Sequence, residues 1–184
     1  MSLPYLTVDK VHSYIAIEPA VGLHAALQSC AAAAGLDKKI RIMSCGGESG
    51  SLVPALSAAG VLAPDQVTSI GGQVLDTIIS VRSLCSIQHP QESIQMHYAL
   101  LRPGGRYVIC EHVLNPWPAS AGSLFGRFMQ VTYTALGWSF FVGGCRLSQD
   151  TIRMLEMAGP WSSVELQRDS DWGALPFVTG VFIK

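Results

Sequence analysis

Apolar residues run through this chain in short β-prone clusters, separated by stretches in which they recur at helical spacing. Ser13–Ile17 is an apolar run that stops at Glu18-Pro19, where proline ends ladder pairing, and it predicts a buried strand. Leu23, Ala26, Leu27 and Cys30 then recur at helical spacing, predicting a helix over Val21–Ala34 with Gly35 as its C-terminal cap. A second strand is expected over Lys39–Cys45, closed by the Gly46-Gly47-Glu48 turn, and a short helix over Ser51–Ala59. Leu75–Val81 predicts a third strand, and Pro90 opens a helix carrying Ile94, Tyr98 and Leu101. Pro103-Gly104-Gly105 marks a turn before a fourth strand, Arg106–Cys110, which ends at Glu111-His112. Buried strands alternating with helices imply an α/β fold with a parallel sheet covered on both faces.

From Asn115 to Gly144 the rhythm breaks. Pro116, Trp117 and Pro118 lead into an aromatic run with Phe125, Phe128, Tyr133, Trp138, Phe140 and Phe141, read as a helical cap inserted over about residues 115–145. Ser148 is the expected N-cap of a further helix reaching Ala158, stopped by Gly159-Pro160. Two last strands, near Ser163–Gln167 and Val178–Ile183, are expected to form an antiparallel edge.

At 184 residues and 49% apolar content the chain has the size of a single domain with a sizeable core, here read as 1–184. Charged residues make up 14%, the net charge is -1 and no Lys/Arg cluster stands out, which argues against a nucleic-acid partner. The five cysteines are widely spaced with no C-x-x-C pair, which favours buried reduced thiols and a cytoplasmic protein. No basic region followed by a long apolar run opens the chain, so a secretory signal is not expected. The uncharged stretch Phe128–Cys145 carries too many polar residues and glycines for a transmembrane helix, and leaves peripheral membrane contact open.

Ligands of open α/β sheets sit beyond the carboxyl ends of the strands, and the residues ending these strands are polar. Glu18 is placed to accept the two hydroxyl protons of a ribose, or is equally a solvated loop carboxylate. Cys85 lies in an apolar strand-to-helix junction with no base nearby in sequence and reads as packing rather than as a nucleophile. His112 ends the fourth strand as either a base or a hydrogen-bonded structural histidine, and Glu111 either orders it or closes the strand.

Three segments carry a family resemblance. They are Asp76–Ile87 (Asp-Thr-Ile-Ile-Ser-Val-Arg-Ser-Leu-Cys-Ser-Ile), Ala99–Arg106 (Ala-Leu-Leu-Arg-Pro-Gly-Gly-Arg) and Cys110-Glu111-His112. In order and spacing they resemble the class I S-adenosylmethionine-dependent methyltransferases, which have a Rossmann-like sheet. With Gly144–Thr151 (Gly-Cys-Arg-Leu-Ser-Gln-Asp-Thr), they look more narrowly like the methyltransferase-like thiol methyltransferases. The resemblance implies S-adenosylmethionine as cofactor, with Glu18 on its ribose, Gly47 and Glu48 near the adenine, and Ser80, Val81, Arg82 and Ser83 along its methionine end. It also implies a small-molecule acceptor, a thiol or alcohol, and the residues themselves offer the aromatic cap as an enclosure for a lipophilic one and His112 as a candidate base.

Members of that family begin with a strand and a glycine loop of Glu/Asp-x-Gly-x-Gly type. Here only twelve residues precede Ser13, while a parallel crossover needs about a dozen for its connection alone. Gly46-Gly47 and Gly71-Gly72 fit later turns. The expectation is therefore a Rossmann-like sheet lacking the first strand and glycine loop, with two apolar strand edges unpaired and available to a homo- or hetero-oligomer. A truncated chain, a gap filled by rearrangement or by a partner, and an inactive derivative that kept the acceptor pocket all fit. Two functions stay open: methyl transfer to a small lipophilic metabolite, or a catalytically inactive binding protein or subunit of a partner methyltransferase.

Overall fold

The computed structural model describes residues 8–63, 72–119 and 122–184, so Gly71 and the first seven residues lie outside it. The first unit is β1 (Tyr14–Ile17), α1 (His24–Ala33) and β2 (Ile40–Met43), followed by α2 (Ser49–Ala58). β1 and β2 pair in parallel, from Tyr14 opposite Ile40 to Ile17 opposite Met43. The end of α1 follows from Gly35: its φ of +72° turns the chain so that Leu36 N–H donates to the Ala31 carbonyl at 2.8 Å. Leu36 and Ala31, both fully buried, then pack together in a small core with Leu27 and Ile40.

The second sheet has the order β3-β4-β6-β5, built from β3 (Leu75–Val81), β4 (Leu101–His112), β5 (Ser163–Asp169) and β6 (Phe177–Ile183). β3 and β4 are parallel, joined by α3 (Pro90–Leu100), while β6 runs antiparallel to both β4 and β5. Pro90 occupies the first turn of α3, where its missing N–H costs nothing, and Ser93, Ile94, His97 and Leu100 form the buried face at helical spacing. Tyr107, Ile109, Val178 and Phe182 from the sheet meet Leu84, Ile94 and Leu155 in the main core.

Between the main sheet and the β1–β2 pair lies a second core, in which Met43, Leu52, Leu56 and Leu100 are packed by Ile15, Ile17, Val74 and Met96. Among the described residues β1 pairs only with β2, and β3 only with β4. The segment expected to be a simple turn, Pro103-Gly104-Gly105, is an irregularity within β4 instead. Leu101 is opposite Leu75 and Arg106 opposite Thr77, so four residues bulge out, with Gly104 at φ +75° and its N–H donating to the Lys184 carbonyl at 2.8 Å.

In the aromatic segment stand α4 (Leu124–Ala135) and α5 (Trp138–Phe141). They are followed by α6 (Thr151–Glu156). α6 is shorter than its sequence pattern suggests, because its N-cap is Asp150, accepting from Arg153 N–H, and not Ser148. Gln149 is drawn away from the helix to donate to the Leu84 carbonyl at 3.0 Å. No helix among the described residues is long and apolar enough to cross a membrane.

Candidate functional site

β3 and β4, being parallel neighbours, bring their carboxyl ends side by side. Glu111, near the end of β4, is completely buried and turns back onto the end of β3. Its Oε1 accepts from Ser80 Oγ at 2.6 Å, Ser83 N–H at 3.0 Å and Leu84 N–H at 3.3 Å, while Ser80 and Ser83 hydroxyls lie 2.8 Å apart. The carboxylate thus fixes the short 3-10 turn Leu84–Ser86 by occupying the free N–H groups at its start. Burial pushes the Glu111 carboxyl pKa up from its ordinary value, opposed by those hydrogen bonds, which favour the charged form. Its Oε2 is buried with no hydrogen-bond partner.

Arg82 sits between these serines at φ +52°, a left-handed conformation that costs an arginine energy and is found where the surrounding structure imposes it. Its N–H donates to the Cys110 carbonyl at 3.0 Å, and its guanidinium lies 5.2 Å from the Phe177 ring centre. Val81 beside it is 42% exposed, so this strand end is open to a ligand.

Glu18 follows β1, where its N–H continues the ladder to the Met43 carbonyl at 3.0 Å. Its Oε1 accepts from Ala20 N–H at 2.8 Å, and Oε2 has no protein partner among the described residues, leaving an acceptor for hydroxyl donors. Gly47 lies after the neighbouring strand β2. A Cβ there would stand 3.1 Å from Ile87 Cδ1, so the loop packs closely on the segment that follows β3. Its carbonyl accepts from His97 Nε2 at 2.9 Å. Glu48 is the N-cap residue of α2, and its carboxylate accepts from Ser51 Oγ at 3.3 Å. The contact with Ile87 joins Gly47 to the segment after β3, while Glu18 and Glu48 stand beyond the carboxyl ends of β1 and β2 with local partners, Ala20 and Ser51.

His97 carries no signal in sequence that separates it from a surface helix residue. Its Nε2 donates to Gly47, so Nδ1 must accept from Tyr107 Oη, 2.9 Å away. Burial lowers its pKa to about 4, partly offset by the Gly47 hydrogen bond.

His112 is 8% exposed, with Nε2 2.9 Å from Cys145 Sγ and its ring edge-on to Phe177. Burial lowers its pKa, with the Arg82 charge adding to the effect. Trp138 Nε1 donates to the same sulfur at 3.1 Å, and Cys85 completes a buried group of three. Burial pushes the Cys85 thiol up to about 12, so as a free thiol it is a poor nucleophile, in keeping with its reading as packing. The residue sequence reasoning overlooked is Cys145, whose partners stand 33 and 60 positions earlier in the chain.

Two open grooves flank this region. One, about 390 Å³, is lined by Ser86, Gln88, Ser139, Phe140, Gly144 and Arg146. The other, about 510 Å³, lies between residues 113–117 and α6. Neither is lined by Glu18, Gly47, Glu48 or Ser80–Ser83. The residues present fit an adenosyl cofactor in part: the strand-end carboxylate of Glu18 keeps a free oxygen and the end of β3 at Val81 is open, whereas the space beside Gly47 is taken by Ile87.

No family model matches the chain. Among characterised proteins, thiol S-methyltransferase TMT1B of Homo sapiens is 30% identical over 109 residues, covering 59% of this chain and 42% of that protein. TMT1B of Rattus norvegicus is 28% identical over 113 residues, and TMT1A of Homo sapiens 26% over 107. The matched region thus spans less than half the length of each of these relatives. Among solved structures, geranyl diphosphate C-methyltransferase from Streptomyces coelicolor A3(2), in complex with S-adenosyl-L-homocysteine, superposes with a TM-score of 0.55 at 10% identity, over 92% of this chain and 62% of that one. PigF with SAH gives 0.54 at 20% identity, over 100% and 47%. The [4+2]-cyclase SpnF gives 0.58 at 13% identity, over 94% and 66%, so the fold itself does not fix the reaction. The strand-end constellation thus sits in a chain with the class I S-adenosylmethionine-dependent methyltransferase fold that is a distant homologue, over about 60% of its length, of the thiol S-methyltransferases TMT1A and TMT1B.

Proposed function

We propose that this chain carries the acceptor side and part of the cofactor side of an S-adenosylmethionine-dependent methyltransferase acting on a thiol or hydroxyl of a small lipophilic metabolite. The observation that carries the reading is the Glu111-clamped turn at the ends of β3 and β4, in a chain aligned with thiol S-methyltransferases. In this reading Glu18 accepts the ribose hydroxyls, Gly47 and Glu48 border the adenine, and Ser80, Val81, Arg82 and Ser83 line the methionine end. The cofactor supplies an activated methyl group on a sulfonium. With the cofactor bound, its sulfonium would supply the methyl group to the acceptor sulfur or oxygen and keep the electron pair of the broken bond, and His112 or solvent would take the acceptor's proton. The protein's part is alignment, for which the clamped turn is suited; the expected enclosure by the aromatic segment is not seen at Phe125, Phe128, Phe140 and Phe141, which are all more than half exposed.

Calorimetry on the purified chain tests this. S-adenosylmethionine and S-adenosylhomocysteine should both give heat, and Glu18→Ala should weaken binding about 10-fold by removing a charged acceptor. No heat at saturating ligand overturns the reading of this chain as an enzyme on its own.

The edges of β1 and β3, open among the described residues, favour a second reading, in which a strand from elsewhere fills the sheet between them and the chain works as a binding protein or a subunit of a partner methyltransferase. Sedimentation separates the two. Species heavier than 19.7 kDa support the assembly, and a monomer that binds cofactor removes it.

A further inference from the structure

We propose that Cys85, His112 and Cys145 form a binding site for a zinc-class divalent metal ion, with three protein ligands and one position left for a ligand from outside. The sulfur and nitrogen atoms of the three side chains all lie within 4.8 Å of one another, and all three residues are buried. They come from three separate places in the fold: the turn after β3, the last residue of β4, and the loop after α5. Such convergence of two thiols and an imidazole is a ligand set suited to zinc, which favours sulfur and nitrogen donors in tetrahedral geometry.

Charge favours the same occupant. Two thiolates and a neutral imidazole compensate a divalent cation, so the metal with its three protein ligands carries no net charge. The surroundings are built to hold a charged sulfur. Trp138 Nε1, which donates and never accepts, points at Cys145 Sγ from 3.1 Å. Donors to a metal-bound sulfur are the usual outer support of such sites. Glu111 pins the turn that carries Cys85, through Ser83 N–H and Leu84 N–H, and Arg146 N–H donates to the Cys85 carbonyl at 3.0 Å, tying the two cysteine segments together. The ligands are thus held by backbone contacts and do not depend on the metal for their placement.

Three ligands leave one of zinc's four positions unfilled, the arrangement of sites that bind an external group. Ser86 and Gly144, the chain neighbours of Cys85 and Cys145, both line the 390 Å³ groove. A thiol entering from that groove would lose its proton to solvent on binding and be held as a thiolate. Its use as the methyl acceptor rests on the methyltransferase reading above, with solvent and not the metal-held His112 taking its proton, whereas metal binding itself does not.

The test uses the full chain, reduced and stripped of metal, titrated with Co²⁺ and then with Zn²⁺. Binding at the cluster should give the sulfur-to-cobalt charge-transfer absorption and the visible bands of a tetrahedral thiolate site, erased when Zn²⁺ displaces the cobalt. Cys85→Ser, Cys145→Ser and His112→Asn should each lose the spectrum, and Cys30→Ser should keep it. Trp138→Phe should keep the ligands and weaken zinc about 10-fold. Circular dichroism distinguishes loss of metal from loss of fold. A wild-type chain that shows no thiolate-to-cobalt absorption, and whose cysteines alkylate equally fast with and without Zn²⁺, overturns the site and leaves three packed, reduced side chains. A Cys145→Ser chain that binds as tightly as wild type overturns it too. Cofactor calorimetry is read separately, so a silent metal titration leaves the methyltransferase reading standing, and the reverse holds.

Discussion

Glu111 shows how much of the site depends on one side chain. It collects a hydroxyl and two backbone N–H groups on a single oxygen, in a position where water does not reach. Glu111→Ala strands the Ser83 and Leu84 N–H groups, and urea unfolding should show a loss of about 3 kcal/mol. Glu111→Gln keeps an acceptor oxygen and should cost about 1 kcal/mol. His97 gives a pH signature. Its imidazole titrates at about 4 in the folded chain. Unfolded, it titrates near the ordinary value of about 6.5. Between those values the unfolded state binds more protons, so stability is full above the upper one and falls as the pH drops through the window. The loss is on the order of 3 kcal/mol. His97→Gln should flatten that part of the profile, and the difference between the two proteins' unfolding curves on either side of the window measures it. In sequence Glu111 read as a companion of His112, and His97 carried no mark. Both owe their roles to contacts 27 to 50 positions away, which local pattern does not encode.

At the level of elements, α4 is seated by polar contacts more than by a greasy face. Gly126 leaves room for the Gly173 carbonyl and the Asn115 side-chain amide, both of which an added Cβ would strike. Asn115, 1% exposed, donates through Nδ2 to the carbonyls of Asp171 and Gly173 and receives Trp117 and Ser123 N–H, while its own N–H donates to Gln130. Gly126→Ala should therefore cost about 2 kcal/mol in thermal or urea unfolding. Gly50→Ala, in α2 with open space around it, should instead stabilise by about 0.5 kcal/mol. Elements with strong local signals were legible from sequence: β3 with its apolar run, α3 with Pro90 at its start, α1 with Gly35 at its end. Those shaped by tertiary contacts were not. β4 begins five residues before its apolar run because Lys184 pairs with the bulge. α6 starts late because Gln149 is taken by Leu84.

For the whole molecule, the division of strands into two sheets sets the cooperativity. The β1–β2 ladder has four residues per strand and meets the rest through one core layer. The β4–β6 ladder has seven register pairs and lies over the main core. Amides of β1 and β2 should exchange with deuterium well before those of β4 and β6, which mass spectrometry of peptide fragments resolves. Uniform protection across both sheets would mean they open as one unit. The alternation of strands and helices was readable from sequence, as was the likeness to thiol S-methyltransferases, because both rest on segments contiguous in the chain. The cysteine–histidine cluster was not, because its members meet only once β3, β4 and the loop after α5 are in place.

The outer face of α4 and α5 has a practical consequence. Phe125, Phe128, Phe140 and Phe141 are all more than half exposed, Phe140 at 85%. An environment-sensitive dye should bind this aromatic face in the native state and fluoresce before any heating. Thermal melts followed with such a dye would then begin bright, and intrinsic tryptophan emission or scattering would be the sounder record of unfolding.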